Sequence, residues 1–209
     1  MAAARTVPAK PLLWYIPLLL LGVLSVAGAF TGPTPSDHSV EGAPINAGDT
    51  AWMLTATALV LLMTPGLSFF YGGMVKAKSV VSMMMLSFGS LGLIAVLWVL
   101  YGYAISFSNG GSGSFYGIDG WFGIDTSFIG LSAQVADAAA PAGAFPSLAF
   151  VAFEATFAII TVALISGAIA DRAKFGAWMI FAGFWATIVY FPVANWVFNY
   201  GSAEDHSDG

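Results

Sequence analysis

The stretch MTPGLSFFYGGMVKAK, Met63 to Lys78, is apolar for most of its length, carries Pro65-Gly66 and Gly72-Gly73 inside that run, and ends on Lys76 and Lys78. Proline and glycine weaken a helix in isolation. In lipid, where no water can satisfy a freed backbone group, they are tolerated only where neighbouring helices or local adjustments re-satisfy it. The stretch therefore reads as the inner end of a membrane-spanning helix packed in a bundle. The lysines mark its exit on the cytoplasmic side.

The rest of the chain agrees. Of 209 residues, 58% are hydrophobic and only 8% charged, with a mean hydropathy of +0.84. A water-soluble domain could not hide that much apolar surface in one core. Runs long enough to cross a bilayer, about 20 residues each, lie near 11 to 30, 50 to 74, 80 to 107, 147 to 170 and 175 to 200.

Charge placement orients these spans. All six basic residues fall in alternate connections: Arg5 and Lys10, Lys76 and Lys78, Arg172 and Lys174. Short basic loops stay cytoplasmic, so residues 31–48, 108–146 and 201–209 are expected outside. Eight of the eleven acids lie in these outer segments and Asp49 directly follows the first, leaving Glu154 and Asp171. The net charge of -5 thus describes the outer connections, not a soluble acidic surface.

Arg5 and Lys10, the run PLLWYIPLLLLGVLSV and the small residues Ala27-Gly28-Ala29 have the layout of a secretory signal peptide. An uncleaved N-terminal helix is the other reading of residues 1–29, because the run is nearly long enough to span. Residues 30–48 follow as an outer segment, 49–200 as the helical domain and 201–209 as an outer polar tail. The loop 108–146 is rich in Gly, Ser and Asp; its Trp121, Phe122 and Phe128 either sit at headgroup level or pack within the loop. Small residues, among them Gly89, Gly92, Gly167, Ala168 and Gly72-Gly73, read mainly as close helix packing.

Several functions are not expected. No cysteine is present, which excludes disulfides and thiolate metal sites. His38 and His206 lie in polar connections and read as solvated. No nucleophile and base, metal cluster or phosphate-binding glycine loop is found, and Gly110-Gly111-Ser112-Gly113 reads as loop flexibility. Neither enzyme activity, nor a cofactor, nor a nucleic-acid partner is expected.

DTAWMLTATALVLLMTPGLSFFYGGMVKAKSVVSMMMLSF with WVLYGYAISF, and then FEATFAIITVALISGAIADRAKFGAWMIFAGFWATIVYFPVANWVF, resemble the first four core helices of the ammonium transporters (Amt/Mep/Rh). The Pro-Gly and Phe-Tyr-Gly-Gly elements carry the likeness, which covers nearly all of residues 49 to 198. It implies an all-α polytopic fold of eleven helices in two inverted halves, of which this sequence matches four. The reading is the N-terminal portion of an ammonium/ammonia channel of the cell membrane, inactive as that portion alone. A truncated membrane protein with a structural or regulatory role beside full-length copies is the alternative. The resemblance also implies a homotrimer in membrane lipid and, in many bacteria, a cytoplasmic PII-type regulator at the inner mouth.

Residue by residue, Phe153 and Phe157, an i and i+4 pair on one helical face, match the family's phenylalanine gate. Without the resemblance, packing or lipid contact is the ordinary reading of such a pair. Phe198 matches the vestibule tryptophan, with Trp196 beside it and Phe153 below. Phenylalanine keeps a ring face but attracts a cation less strongly than tryptophan. Leu67, Phe70 and Tyr71 match pore-side positions, with core packing as the other reading of each. Glu154, where relatives usually carry glutamine, is the one acid within a span; it either attracts the cation or is protonated and merely hydrogen-bonded. Asp171 and Arg172 match a structural turn. Asn195 stands where a histidine is common.

Overall fold

The computed structural model describes residues 23, 45–107, 124, 126–136 and 145–198. The chain divides into two units, Met1–Thr31 and Gly32–Gly209, and of the first only Val23, helical, is described. Apart from Val23, the expected signal peptide or first helix lies outside the described residues. So do residues 31–44, Trp121, Phe122 and the tail 201–209.

The second unit is helical. Among the described residues, four helices are long and apolar enough to cross a membrane: α1 (Ala47–Met74), α2 (Ala77–Ser106), α4 (Ser147–Ile169) and α5 (Phe175–Phe198). The short α3 (Ser132–Ala136) follows a 3-10 segment, Thr126–Leu131, within the connection between α2 and α4. That region is therefore partly helical rather than a plain loop.

Local chemistry sets the ends. The Asn46 side chain accepts from the backbone N–H of Gly48 at 2.7 Å and of Asp49 at 3.4 Å, capping α1 and placing a carboxylate at its positive end. Pro146 is extended, with ψ 141°, and α4 starts immediately after it. Pro65 lies inside α1, which continues through it. Such a proline removes one backbone hydrogen bond, and in α1 that loss does not end the helix. Between α1 and α2 and between α4 and α5, Val75–Lys76 and Lys174 return to extended backbone, and Asp171 turns the chain with φ +61°.

α2 is the centre of the unit, packed against α1, α4 and α5, while α1 and α4 lie alongside each other. An indole N–H at membrane depth must find an acceptor. Trp98 Nε1 donates to the Val151 carbonyl on α4 at 3.1 Å. Trp178 Nε1 on α5 donates to the Leu86 carbonyl and to Ser90 Oγ, both at 3.0 Å. α2 and α5 each contain a π-helical turn, Trp98–Gly102 and Ala186–Tyr190, and meet there through Tyr101 and Thr187, whose hydroxyls are 2.8 Å apart.

Small residues sort into two groups. A side chain at Gly89 would strike Phe175, one at Gly167 would strike Tyr71, and one at Gly72 would press on Met84, so these three glycines permit close helix contact. Among the described residues, Gly66, Gly73 and Gly92 have nothing within 4 Å of a Cβ position. The packing reading fits the first group.

Candidate functional site

A helix turns by about 100° per residue, so the exposure of α4 can be mapped around its axis. Phe153, Glu154, Phe157, Thr161, Leu164 and Ala168 are all partly or fully exposed and share an arc of about 100°. The opposite side is mostly closed, with Val151, Ala158, Ile159, Val162, Ala163 and Ser166 buried and Ala152 and Ala155 open. One face of α4 is thus a continuous open wall.

Phe153 and Phe157 stand on that wall with ring centroids 5.0 Å apart and planes at 71°, an edge-to-face pair. The Thr156 hydroxyl donates to the Phe153 carbonyl at 2.6 Å. This uses the hydroxyl locally on the buried side of the helix, away from the rings.

Towards the C-terminal end of α4, the Tyr71 hydroxyl donates to the Leu164 carbonyl at 3.0 Å, and its ring fills the space left by Gly167. Tyr71 is therefore brought to the α4 wall. Leu67, one turn earlier, is half-buried. Phe70 contacts Tyr71 at 5.7 Å between centroids but is 63% exposed on the open side of α1.

At the C-terminal end of α5, Trp196 and Phe198 are exposed. Among the described residues no ring contact joins Phe198 to Phe153 or Phe157. What holds this end is Asn195, whose Nδ2 donates to the Ser106 carbonyl at 3.1 Å. The hydrogen bonding expected to change at this position is thus met by the amide, which fixes the end of α5 to the end of α2. Below it, Phe191 is fully buried among Trp98, Tyr101 and Tyr190. Phe128 from the connection between α2 and α4 packs on Tyr103, 5.8 Å between centroids, so it lies against the bundle.

Glu154 is half-buried on the α4 wall. It lies within electrostatic reach of Tyr103 on α2 and Tyr190 on α5. Sequence reasoning did not find these two tyrosines. The cue was a phenol within each of two apolar runs, a polar tip that needs a partner at that depth.

These features define a class: a polytopic α-helical membrane protein in which an aromatic pair and one acid lie on an open helix face. The profile of the Ammonium Transporter Family matches residues 51–207, and the chain belongs to that family. It is 54% identical over 175 residues to an ammonium transporter of Mycobacterium tuberculosis, covering 80% of this chain and 36% of that protein. It is 44% identical over 154 residues to an ammonium transporter of Bacillus subtilis, covering 74% and 36%. Among solved structures, Candida albicans Mep2 superposes with a TM-score of 0.61 at 28% identity, covering 73% of this chain and 31% of that one. The chain spans about a third of the length of the curated relatives it matches.

Proposed function

We propose that the chain forms one half of a path conducting ammonium or ammonia across the cell membrane, with the Phe153–Phe157 pair as its gate. The observation carrying this reading is the edge-to-face pair, 5.0 Å between centroids, on the open face of α4. Ring faces attract a small cation, and an apolar constriction resists ions that keep their hydration shell. Phe198, Trp196 and Phe153 form the outer approach. Leu67, Phe70 and Tyr71 continue the wall towards the inner end. The names of the relatives support the substrate.

α1 exposes Trp52, Leu59, Leu62, Phe69 and Phe70, an apolar face broader than a lone wall needs. That exposure supports a path closed only by further protein. In the full reading the path lies between this portion and a second, inverted half, and the portion alone conducts nothing. A homotrimer, a PII-type protein at the inner mouth, and residues 31–48, 108–146 and 201–209 outside complete it.

The test is radiolabelled methylammonium uptake in cells lacking their own transporters, with this chain alone, with a co-expressed second half, and with Phe153→Ala and Phe157→Ala in the assembled protein. Uptake is expected only from the assembled protein, with both variants altered in rate or in exclusion of potassium. Uptake by the chain alone, or variants identical to wild type, would contradict the proposal.

A further inference from the structure

α4 carries the Phe153–Phe157 pair on a face that is open among the described residues, so packing on that side does not fix how far the helix is turned about its axis. The buried side is lined by small aliphatic residues, Val151, Ala158, Val162 and Ala163 among them. Such a surface resists separation more than rotation, because the hydrophobic effect is non-directional. A turn of about 20° moves a group at the helix surface, about 5–6 Å from the axis, by about 2 Å. That is the scale on which a constriction for a small cation works.

Directional bonds to the backbone of α4 do resist rotation. Trp98 Nε1 on α2 donates to the Val151 carbonyl at 3.1 Å, and the Tyr71 hydroxyl on α1 donates to the Leu164 carbonyl at 3.0 Å. The two acceptors are 13 residues apart, about 20 Å of helix and about 140° around it. Phe153 and Phe157 lie between them. Leu164 shares the face of the rings, whereas Val151 is on the buried side, about 120–160° away from them. α4 is thus tied from two helices, at two heights and on two sides. Trp98 holds the tie nearer the pair, its acceptor lying two residues before Phe153. The indole itself has little freedom: it is 1% exposed, and its ring meets those of Tyr103, Phe107 and Phe191 at 5.9, 6.3 and 5.8 Å between centroids. Phe107 in turn meets Phe150 on α4 at 5.1 Å.

We propose that Trp98 is a positioning residue for the ring pair: its N–H holds α4 at the rotation in which Phe153 and Phe157 face the open side, without itself touching the solute. The inference rests on the gate reading above and adds to it a residue on another helix.

The test replaces Trp98, in the protein assembled with its second half, by benzothienylalanine, which keeps the bicyclic ring and puts sulfur in place of the N–H. Trp178 receives the same replacement as the control, since its N–H serves α2 and not α4. Melting temperature and the ratio of methylammonium to rubidium uptake are measured. Both replacements should lower the melting temperature, each removing a buried donor. Only the one at Trp98 should lower the uptake ratio, by about fivefold, the factor equivalent to one net hydrogen bond. Trp98→Phe, which also lacks the donor, should do the same and serves where the analogue is poorly incorporated. Phe157→Ala should lower the ratio as well, and the Trp98 replacement made in that background should add nothing, because a residue acting through the ring loses its effect once the ring is gone. An unchanged ratio on replacing Trp98, an equal fall on replacing Trp178, or losses that multiply with Phe157→Ala overturn the proposal while leaving the gate. An unchanged ratio in Phe157→Ala itself removes the gate reading and the proposal together, so the two failures are told apart.

Discussion

Phe191 covers Gly102 so closely that a Cβ on the glycine would lie 2.6 Å from the ring's Cζ and 2.9 Å from Cε1. The ring cannot step aside, because it is fully buried against Trp98, Tyr101 and Tyr190. Gly102→Ala is therefore expected to destabilise the α2–α5 contact by about 1–3 kcal/mol, the range for overpacking a filled core. Thermal unfolding in detergent measures it. Phe191→Leu added to Gly102→Ala should recover part of the loss; a double variant worse than the sum of the singles would contradict this.

Two serines on α2, one turn apart, should respond oppositely to removal of their hydroxyls. Ser90 Oγ donates to the Leu86 carbonyl at 2.9 Å and accepts from Trp178 at 3.0 Å. Among the described residues, Ser87 Oγ is buried with no hydrogen-bond partner. Losing a satisfied bond costs about 1 kcal/mol, whereas deleting an unpaired buried hydroxyl is nearly neutral or stabilising. Ser90→Ala should thus lower the melting temperature and Ser87→Ala should hold or raise it. The reverse order would mean that Ser87 is paired in the membrane.

The spans of the second unit were legible from composition, because apolar runs of the right length between polar connections have one stable solution in lipid. Their ends match the observed helices within about three residues, the usual ambiguity of helix boundaries. The Phe153–Phe157 pair was legible too, since i and i+4 spacing fixes a shared face. The π-helical turns at Trp98–Gly102 and Ala186–Tyr190 were not, for no residue type demands them; they accompany the Tyr101–Thr187 and Gly102–Phe191 contacts between two helices 86 and 89 residues apart in sequence. The same holds for the acceptors of Trp98 and Trp178. A sequence shows that an indole needs a partner but not which carbonyl faces it. Glu154 was visible as an anomaly, while its neighbours Tyr103 and Tyr190 emerged only once α2 and α5 were packed.

Phe198 stands exposed at the C-terminal end of α5, anchored through Asn195 three residues earlier. If it receives the cation through its ring face, Phe198→Trp should tighten the apparent affinity for methylammonium, because indole attracts cations more strongly. An exposed gain of about 0.5–1 kcal/mol corresponds to roughly a two- to fivefold fall in KM. Phe198→Leu should raise KM. Uptake kinetics in the assembled protein decide it, and identical KM values for all three residues would remove Phe198 from the outer site.

Tyr71 near the end of α1 meets Leu164 near the end of α4, and Asn195 near the end of α5 meets Ser106 at the end of α2. The connections carrying Lys76 and Arg172 therefore lie at one end of the bundle, opposite the ends of α2 and α5. The chain has no cysteine, so a single introduced thiol reports position without background. Lys76→Cys and Arg172→Cys, both at exposed positions, should react with a membrane-impermeant maleimide only after the cells are permeabilised, since basic connections stay on the cytoplasmic side. Val135→Cys, on the exposed side of α3, should react on intact cells. If Lys76→Cys and Arg172→Cys fell on different sides, α1 and α4 could not run parallel and the Tyr71–Leu164 bond could not form in the membrane. If both reacted from outside, the packing would stand but the cation would meet the Phe198 end last, reversing the order of approach and gate.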